Sequence, residues 1–193
     1  MASIEEELRA GGLQVLGACS GIERDAALLQ HSAMLHDFSI DEAATLGSVM
    51  LRVRAKPGQV LIQEGAIGEW MLLILSGTVD VTKLSANGAP SRIAVIKSGA
   101  SIGEMSMLDG APRYATCAAL EEVEAGVLTR QAIGRLIREH PAVGAKLLVK
   151  LTQLLAQRLR NTSTHLVKAR IGAAPGATAA EKAGLKRRST DWL

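Results

Sequence analysis

The chain has 193 residues, 48% of them apolar and only 2% aromatic, enough for one sizeable core built from aliphatic side chains. A net charge of +3 is too small an excess to argue for a nucleic-acid surface, and part of it lies in a terminal run at Lys182, Lys186, Arg187 and Arg188. Two cysteines make no disulfide framework, the four histidines show no metal-ligand spacing, no apolar run approaches the ~18 residues of a membrane span, and Glu5, Glu6 and Glu7 argue against a secretory leader, so the expectation is a cytoplasmic protein without metal or cofactor.

Residues 1–33 read as a helical extension of unclear register. Glu5, Glu6 and Glu7 suit the positive end of a helix dipole, Ile22 to Leu29 has helical apolar spacing, and Gly11, Gly12 and Gly17 interrupt the pattern. Ser39 with Glu42 three residues later is a capping-box signature, predicting a helix through Ala43, Leu46 and Val49.

From Leu51 onward the period changes from helix to strand. Leu51, Val53 and Ala55 alternate with Arg52, Arg54 and Lys56, and Pro57-Gly58 turns the chain into Val60–Ile62. Trp70 to Leu75 is almost continuously apolar, which predicts a strand buried on both faces. Val79, Val81 and Leu84 alternate again, Asn87-Gly88 marks a hairpin, and Ile93 to Ile96 forms the return strand.

Residues Gly103 to Thr116 then depart from strand periodicity. Gly103 permits a close backbone approach, and the turn from Glu104 through Met105 and Ser106 to Leu108 presents unpaired N–H groups to an anion. Arg113 adds a fork of donors matched to two phosphate oxygens, whereas Glu104, an acceptor only, suits a sugar hydroxyl. Ile102 and Ala115 flank the segment, and Tyr114 follows the arginine. Ordinary loop chemistry explains Gly-Glu or Pro-Arg alone, but not the whole arrangement between strands.

Strands resume at Ala115–Ala119 and Val123–Leu128, with Cys117 as a small buried hydrophobe. Many short strands with regular turn signals predict a β-roll or jelly roll. Thr129 caps a helix carrying Ile133, Leu136 and Ile137, and Pro141 opens another carrying Leu147, Leu151, Leu155 and Leu159. That broad stripe serves either the protein's own core alone or also a homodimer seam. Residues 171–193 lose all pattern and read as a mobile basic tail.

The Gly103–Thr116 stretch resembles the phosphate-binding cassette of cyclic nucleotide-binding domains, the family of the catabolite activator protein and the regulatory subunits of cAMP-dependent kinase. Glu104, Arg113, Gly103, the Pro112-Arg113 pair and the Ala115-Thr116 exit stand at the matching places, and Gly58, Gly65 and Gly77 fall where that family has its glycines. The resemblance spans about Met34 to Asn161, within a domain expected over residues 34–170. It implies an α+β fold, a β-roll flanked by N-terminal helices and by C-terminal B and C helices. It further implies that Glu104 takes the ribose 2′-hydroxyl, that Arg113 takes the cyclic phosphate, and that the C helix moves over the base.

Tyr114 departs from the small or hydroxylic residue usual after the arginine. In the family a threonine there accompanies cGMP preference, so Tyr114 points to cAMP, with cGMP the alternative. The resulting expectation is a non-enzymatic sensor that signals to an effector protein, with Ile102, Gly103, Glu104, Met105, Ser106, Arg113, Tyr114 and Ala115 as ligand-binding residues. The helix-turn-helix of the family's transcription factors has no counterpart in the short stretch after Arg170, so direct DNA binding is not expected. A ligand-independent interaction module and a transcriptional regulator acting through a partner are the alternatives.

Overall fold

The computed structural model describes residues 3–172. Helix α1, Ile4–Ala10, starts at a reciprocal capping box in which the Ser3 hydroxyl accepts from the Glu6 N–H and the Glu6 carboxylate accepts from the Ser3 N–H. After it come strand β1 (Gln14–Ala18), a 3-10 turn (Ile22–Arg24), α2 (Ala26–His31) and α3 (Ile40–Ser48). The roll then contributes β2 (Leu51–Ala55), β3 (Val60–Ile62), β4 (Trp70–Ser76), β5 (Thr78–Leu84), β6 (Pro90–Lys97) and β7 (Ser101–Ile102). The short helix α4 (Glu104–Asp109) leads to β8 (Thr116–Ala119), β9 (Val123–Thr129), α5 (Arg130–Glu139) and α6 (Pro141–Gly172).

The expected helical extension over residues 1–33 is corrected here, because its middle is a strand. Gln14–Ala18 pairs antiparallel with β2, with a register shift between Val15 and Gly17. This segment has little strand character of its own and leaves Leu16 exposed. It is extended because the free edge of β2 supplies backbone partners, a tertiary effect that outweighs local propensity. Helix α1 also docks on the roll: Leu8 joins its core and the Glu7 carboxylate accepts from Trp70 Nε1 at 2.9 Å.

Two antiparallel sheets form the roll, with strand orders β1-β2-β9-β4-β7 and β3-β8-β5-β6. Strand β4 shows how its sequence divides between two cores. Trp70, Leu72 and Ile74 face the interior between the sheets, whereas Met71 and Leu73 face a second core shared with the helices. The period-2 geometry of a strand requires this split, and it accounts for the lack of polar residues there.

The capping expectations at the helix entrances hold. Ser39 and Glu42 form a capping box at α3, and the Thr129 hydroxyl accepts from Ala132 N–H at α5. Helices α5 and α6 approach so closely that a Cβ on Gly144 would lie 2.8 Å from Ile137 Cα. The first turns of α6 are clasped to residues 36–42: Lys146 Nζ donates to Glu42 Oε2 at 2.6 Å and to the Asp37 carbonyl at 3.1 Å. Lys150, almost fully buried, pairs with the Asp37 carboxylate beside His36. No helix among the described residues is long and apolar enough to cross a membrane. The tail expected to be mobile, and the expectation about a DNA-reading head, concern residues outside the described ones.

Candidate functional site

Strand β7 delivers the chain to the edge of β4, pairing Ile102 with Leu72, and Gly103 then turns it into α4 with φ of 82°. That left-handed backbone is open to glycine without steric cost. Glu104, Met105 and Ser106 open α4, so their N–H groups have no acceptor in a preceding turn. Gly110, also left-handed, ends the helix, and the Ser106 hydroxyl donates to the Pro112 carbonyl at 3.4 Å across the loop. The Arg113 backbone fixes the return: its N–H donates to the Ala66 carbonyl at 2.8 Å and its carbonyl accepts from Gly65 N–H at 2.9 Å.

The structure brings Ile102, Gly103, Glu104, Ser106, Arg113 and Ala115 into one largely buried patch. Arg113 is 4% exposed, donating from Nη1 to the Gly103 carbonyl and from Nη2 to the Trp70 carbonyl, each at 2.7 Å. Its guanidinium lies 4.5 Å from the Trp70 ring centroid. Burial pulls its pKa down from the usual guanidinium range, against the attraction of the Glu7 and Glu104 carboxylates. Met105 and Tyr114 behave differently, both side chains being exposed. Lys83 Nζ sits 4.6 Å from the Tyr114 ring centroid while also pairing with Glu64, so the phenol belongs to a surface cluster. Burial pushes the Cys117 thiol up to about 12, which keeps it a neutral hydrophobe beneath the site.

The family model of the cyclic nucleotide-binding domain matches residues 52–140. A solved cyclic nucleotide-binding domain from Methylobacillus flagellatus KT is 34% identical, with a TM-score of 0.73 over 86% of this chain and 91% of that one. This chain belongs to the cyclic nucleotide-binding domain family.

Two curated relatives extend further than this domain. The cyclic AMP receptor protein of Thermus thermophilus is 30% identical over 138 residues, 72% of this chain and 62% of the relative. The CRP-like cAMP-activated global transcriptional regulator of Mycobacterium tuberculosis is 28% identical over 131 residues, 68% of this chain and 57% of the relative. The chain therefore spans less than two thirds of either.

Within this cyclic nucleotide-binding domain, sequence reasoning missed three contributors. Arg158 of α6 pairs with the Glu104 carboxylate and donates to the Ser101 carbonyl at 2.5 Å. A signal for it exists: Leu147, Leu151 and Leu154 form the inward stripe of α6, and Arg158 continues it at the next turn. Arg130 bonds through Nε and Nη2 to the Met107 carbonyl and through Nη1 to Glu69, tying the end of α4 to the start of α5. Trp70 supplies both a carbonyl and a ring to Arg113. Among the described residues no group of His, Cys, Asp and Glu is placed to hold a metal ion. The arrangement can bind an anion: it combines the helix-start N–H groups, the buried Glu104 carboxylate and Arg113 of one short cassette with Arg158 brought in from α6.

Proposed function

We propose that this domain is a cyclic nucleotide sensor with cAMP as its preferred ligand, which signals to a partner protein by movement of α6. The observation that carries the reading is a buried Glu104 opening the α4 cassette and a buried Arg113 folded back to the Gly103 carbonyl beside it, with Arg158 reaching Glu104 from α6. Cassette N–H groups and Arg113 take the cyclic phosphate, Glu104 takes the ribose 2′-hydroxyl, and α6 covers the base. A ligand that touches the cassette and α6 together favours the state in which they are close, and that is the signal. The exposed position of Tyr114 supports the cAMP preference, since it leaves the phenol in a surface cluster with Lys83 and not in the buried patch of Glu104 and Arg113. The relatives named for cAMP support the same choice.

Calorimetric titration with cAMP and cGMP tests this. The expected result is binding of cAMP at least as tight as cGMP, weakened in Arg113→Leu by at least ~2 kcal/mol through loss of charge-assisted bonds. A tenfold preference for cGMP overturns the stated selectivity, and unchanged affinity in Arg113→Leu overturns the phosphate assignment. One observation favours a second reading, a ligand-independent interaction module: Arg113 already spends donors on the Gly103 and Trp70 carbonyls. Failure of both nucleotides to bind selects that reading.

A further inference from the structure

Trp70 holds Arg113, and Trp70 in turn is tied to the N-terminal helix. The Arg113 guanidinium donates to the Trp70 and Gly103 carbonyls, each at 2.7 Å, and lies 4.5 Å from the Trp70 ring centroid. The space around it is closed, since a Cβ on Gly68 would lie 2.6 Å from Nη2 and one on Gly103 2.8 Å from Nη1. Trp70 is buried, with its backbone fixed in β4 opposite Thr129 of β9. Its only side-chain polar group, the indole N–H, donates to Glu7 Oε1 of α1 at 2.9 Å. The Glu7 carboxylate also attracts the Arg113 guanidinium through space. Helix α1 depends on this docking: it has seven residues, too few for a helix stable alone, and Leu8 is its one buried residue. It leads into Gly11 and Gly12, the latter left-handed with φ of 84°.

We infer that Trp70 is a positioning residue for Arg113 and that α1 governs it: the bond from the indole to Glu7 sets the ring, and the ring sets the plane of the Arg113 fork. The inference rests on the reading of Arg113 as the phosphate ligand. A fork held in one orientation meets two phosphate oxygens at little ordering cost, whereas a fork on a tilting platform loses that advantage. Docking of α1 and binding of the phosphate therefore favour each other, and by linkage the coupling is reciprocal. The cassette is thus acted on by two helices, by α6 at Glu104 and by α1 at Arg113. A merely structural contact would weaken every form of the ligand alike, whereas a positioning role alters which phosphate oxygen the arginine favours.

The test is titration of the full chain with cAMP and with its two phosphorothioate diastereomers, in which sulfur replaces one or the other exocyclic phosphate oxygen. Glu7→Ala and Trp70→Phe each remove the bond between α1 and the ring, whereas Glu7→Gln keeps an acceptor for the indole. Each of the first two is expected to weaken cAMP about threefold to tenfold, the value of one hydrogen bond. The double variant is expected to be no weaker than the weaker-binding single, because both changes break the same bond, and Glu7→Gln to stay within about twofold of wild type. The wild-type ratio of affinities for the two diastereomers is expected to fall toward one in Glu7→Ala. The inference is overturned if Glu7→Ala binds cAMP like wild type, if Glu7→Gln loses as much as Glu7→Ala, if the two single effects add, or if the diastereomer ratio stays unchanged. A wild type that binds both diastereomers alike also overturns it. Wild-type affinity in Arg113→Leu overturns the phosphate reading beneath it, and a wild type that binds no cyclic nucleotide overturns the cyclic-nucleotide reading itself. Urea denaturation checks the fold of each variant, and the two substitutions at the exposed Glu7 carry the test if Trp70→Phe does not fold.

Discussion

Gly103 occupies the junction of β7 and α4, where the backbone is left-handed and the space for a side chain is already taken. A Cβ there would lie 2.8 Å from Arg113 Nη1 and 2.9 Å from Ile62 Cδ1. Gly103→Ala therefore meets two penalties, the left-handed conformation and displacement of the guanidinium. It is expected to destabilise the fold by at least ~1 kcal/mol in urea denaturation. It is also expected to weaken cAMP binding, because the moved group is Arg113. Wild-type stability and wild-type affinity in this variant would refute the packing described for Arg113. The same neighbourhood shows why Arg113 is poorly replaced by lysine: a lysine has a single terminal nitrogen, and lacks the planar fork whose two nitrogens reach the Gly103 and Trp70 carbonyls separately.

At the level of elements, α6 is held at two separate places, by the Lys146–Lys150 clasp near its start and by Arg158 farther along. The clasp has a defined pH dependence. The hydrogen bond from Lys150 holds the Asp37 carboxyl below the usual carboxylate range, and the hydrogen bond from Lys146, followed by that from Ser39 N–H, does the same for Glu42. A carboxyl whose pKa is lower in the folded state contributes stability that is complete above its unfolded pKa and is lost as pH falls through the folded one. The urea midpoint is therefore expected to drop as pH falls below about 4, where unfolded Asp and Glu begin to protonate. The drop should be shallower in the Asp37→Asn, Glu42→Gln double variant. An identical pH profile in the two proteins would show that the clasp contributes nothing to folding.

For the molecule as a whole, the open question of the α6 leucines now has a geometric form. Leu147, Leu151 and Leu154 turn inward to the second core, while Leu148 and Leu159 remain exposed. Leu148 and Leu155 are seven residues apart, as are Thr152 and Leu159, the spacing of a two-helix seam. We expect a two-fold homodimer through this outer stripe, with light scattering giving twice the 20.3 kDa chain mass and Leu159→Lys giving the monomer. A wild type that stays monomeric at high concentration, with and without cAMP, rules this assembly out.

Much of this architecture was legible in the sequence because it is encoded over a few residues. Strand alternation in Leu51–Ala55, the apolar run of β4, the Asn87-Gly88 turn and the caps at Ser39 and Thr129 are each local consequences of side-chain period or backbone dihedral preference. The cassette is local too, running from Gly103 to Thr116 without interruption. What the sequence alone did not decide depends on residues far apart in the chain. Strand β1 exists because β2 has an edge to offer, and β7, two residues long, exists because β4 pairs with it. Only folding shows that Arg113 turns inward to Trp70, that Tyr114 lies outside under Lys83, and that Arg158 meets Glu104 from 54 positions away. The physical reason is that periodicity and caps are properties of one segment's dihedral angles, whereas the pairing of a buried charge depends on which segments the packed cores bring to the same place.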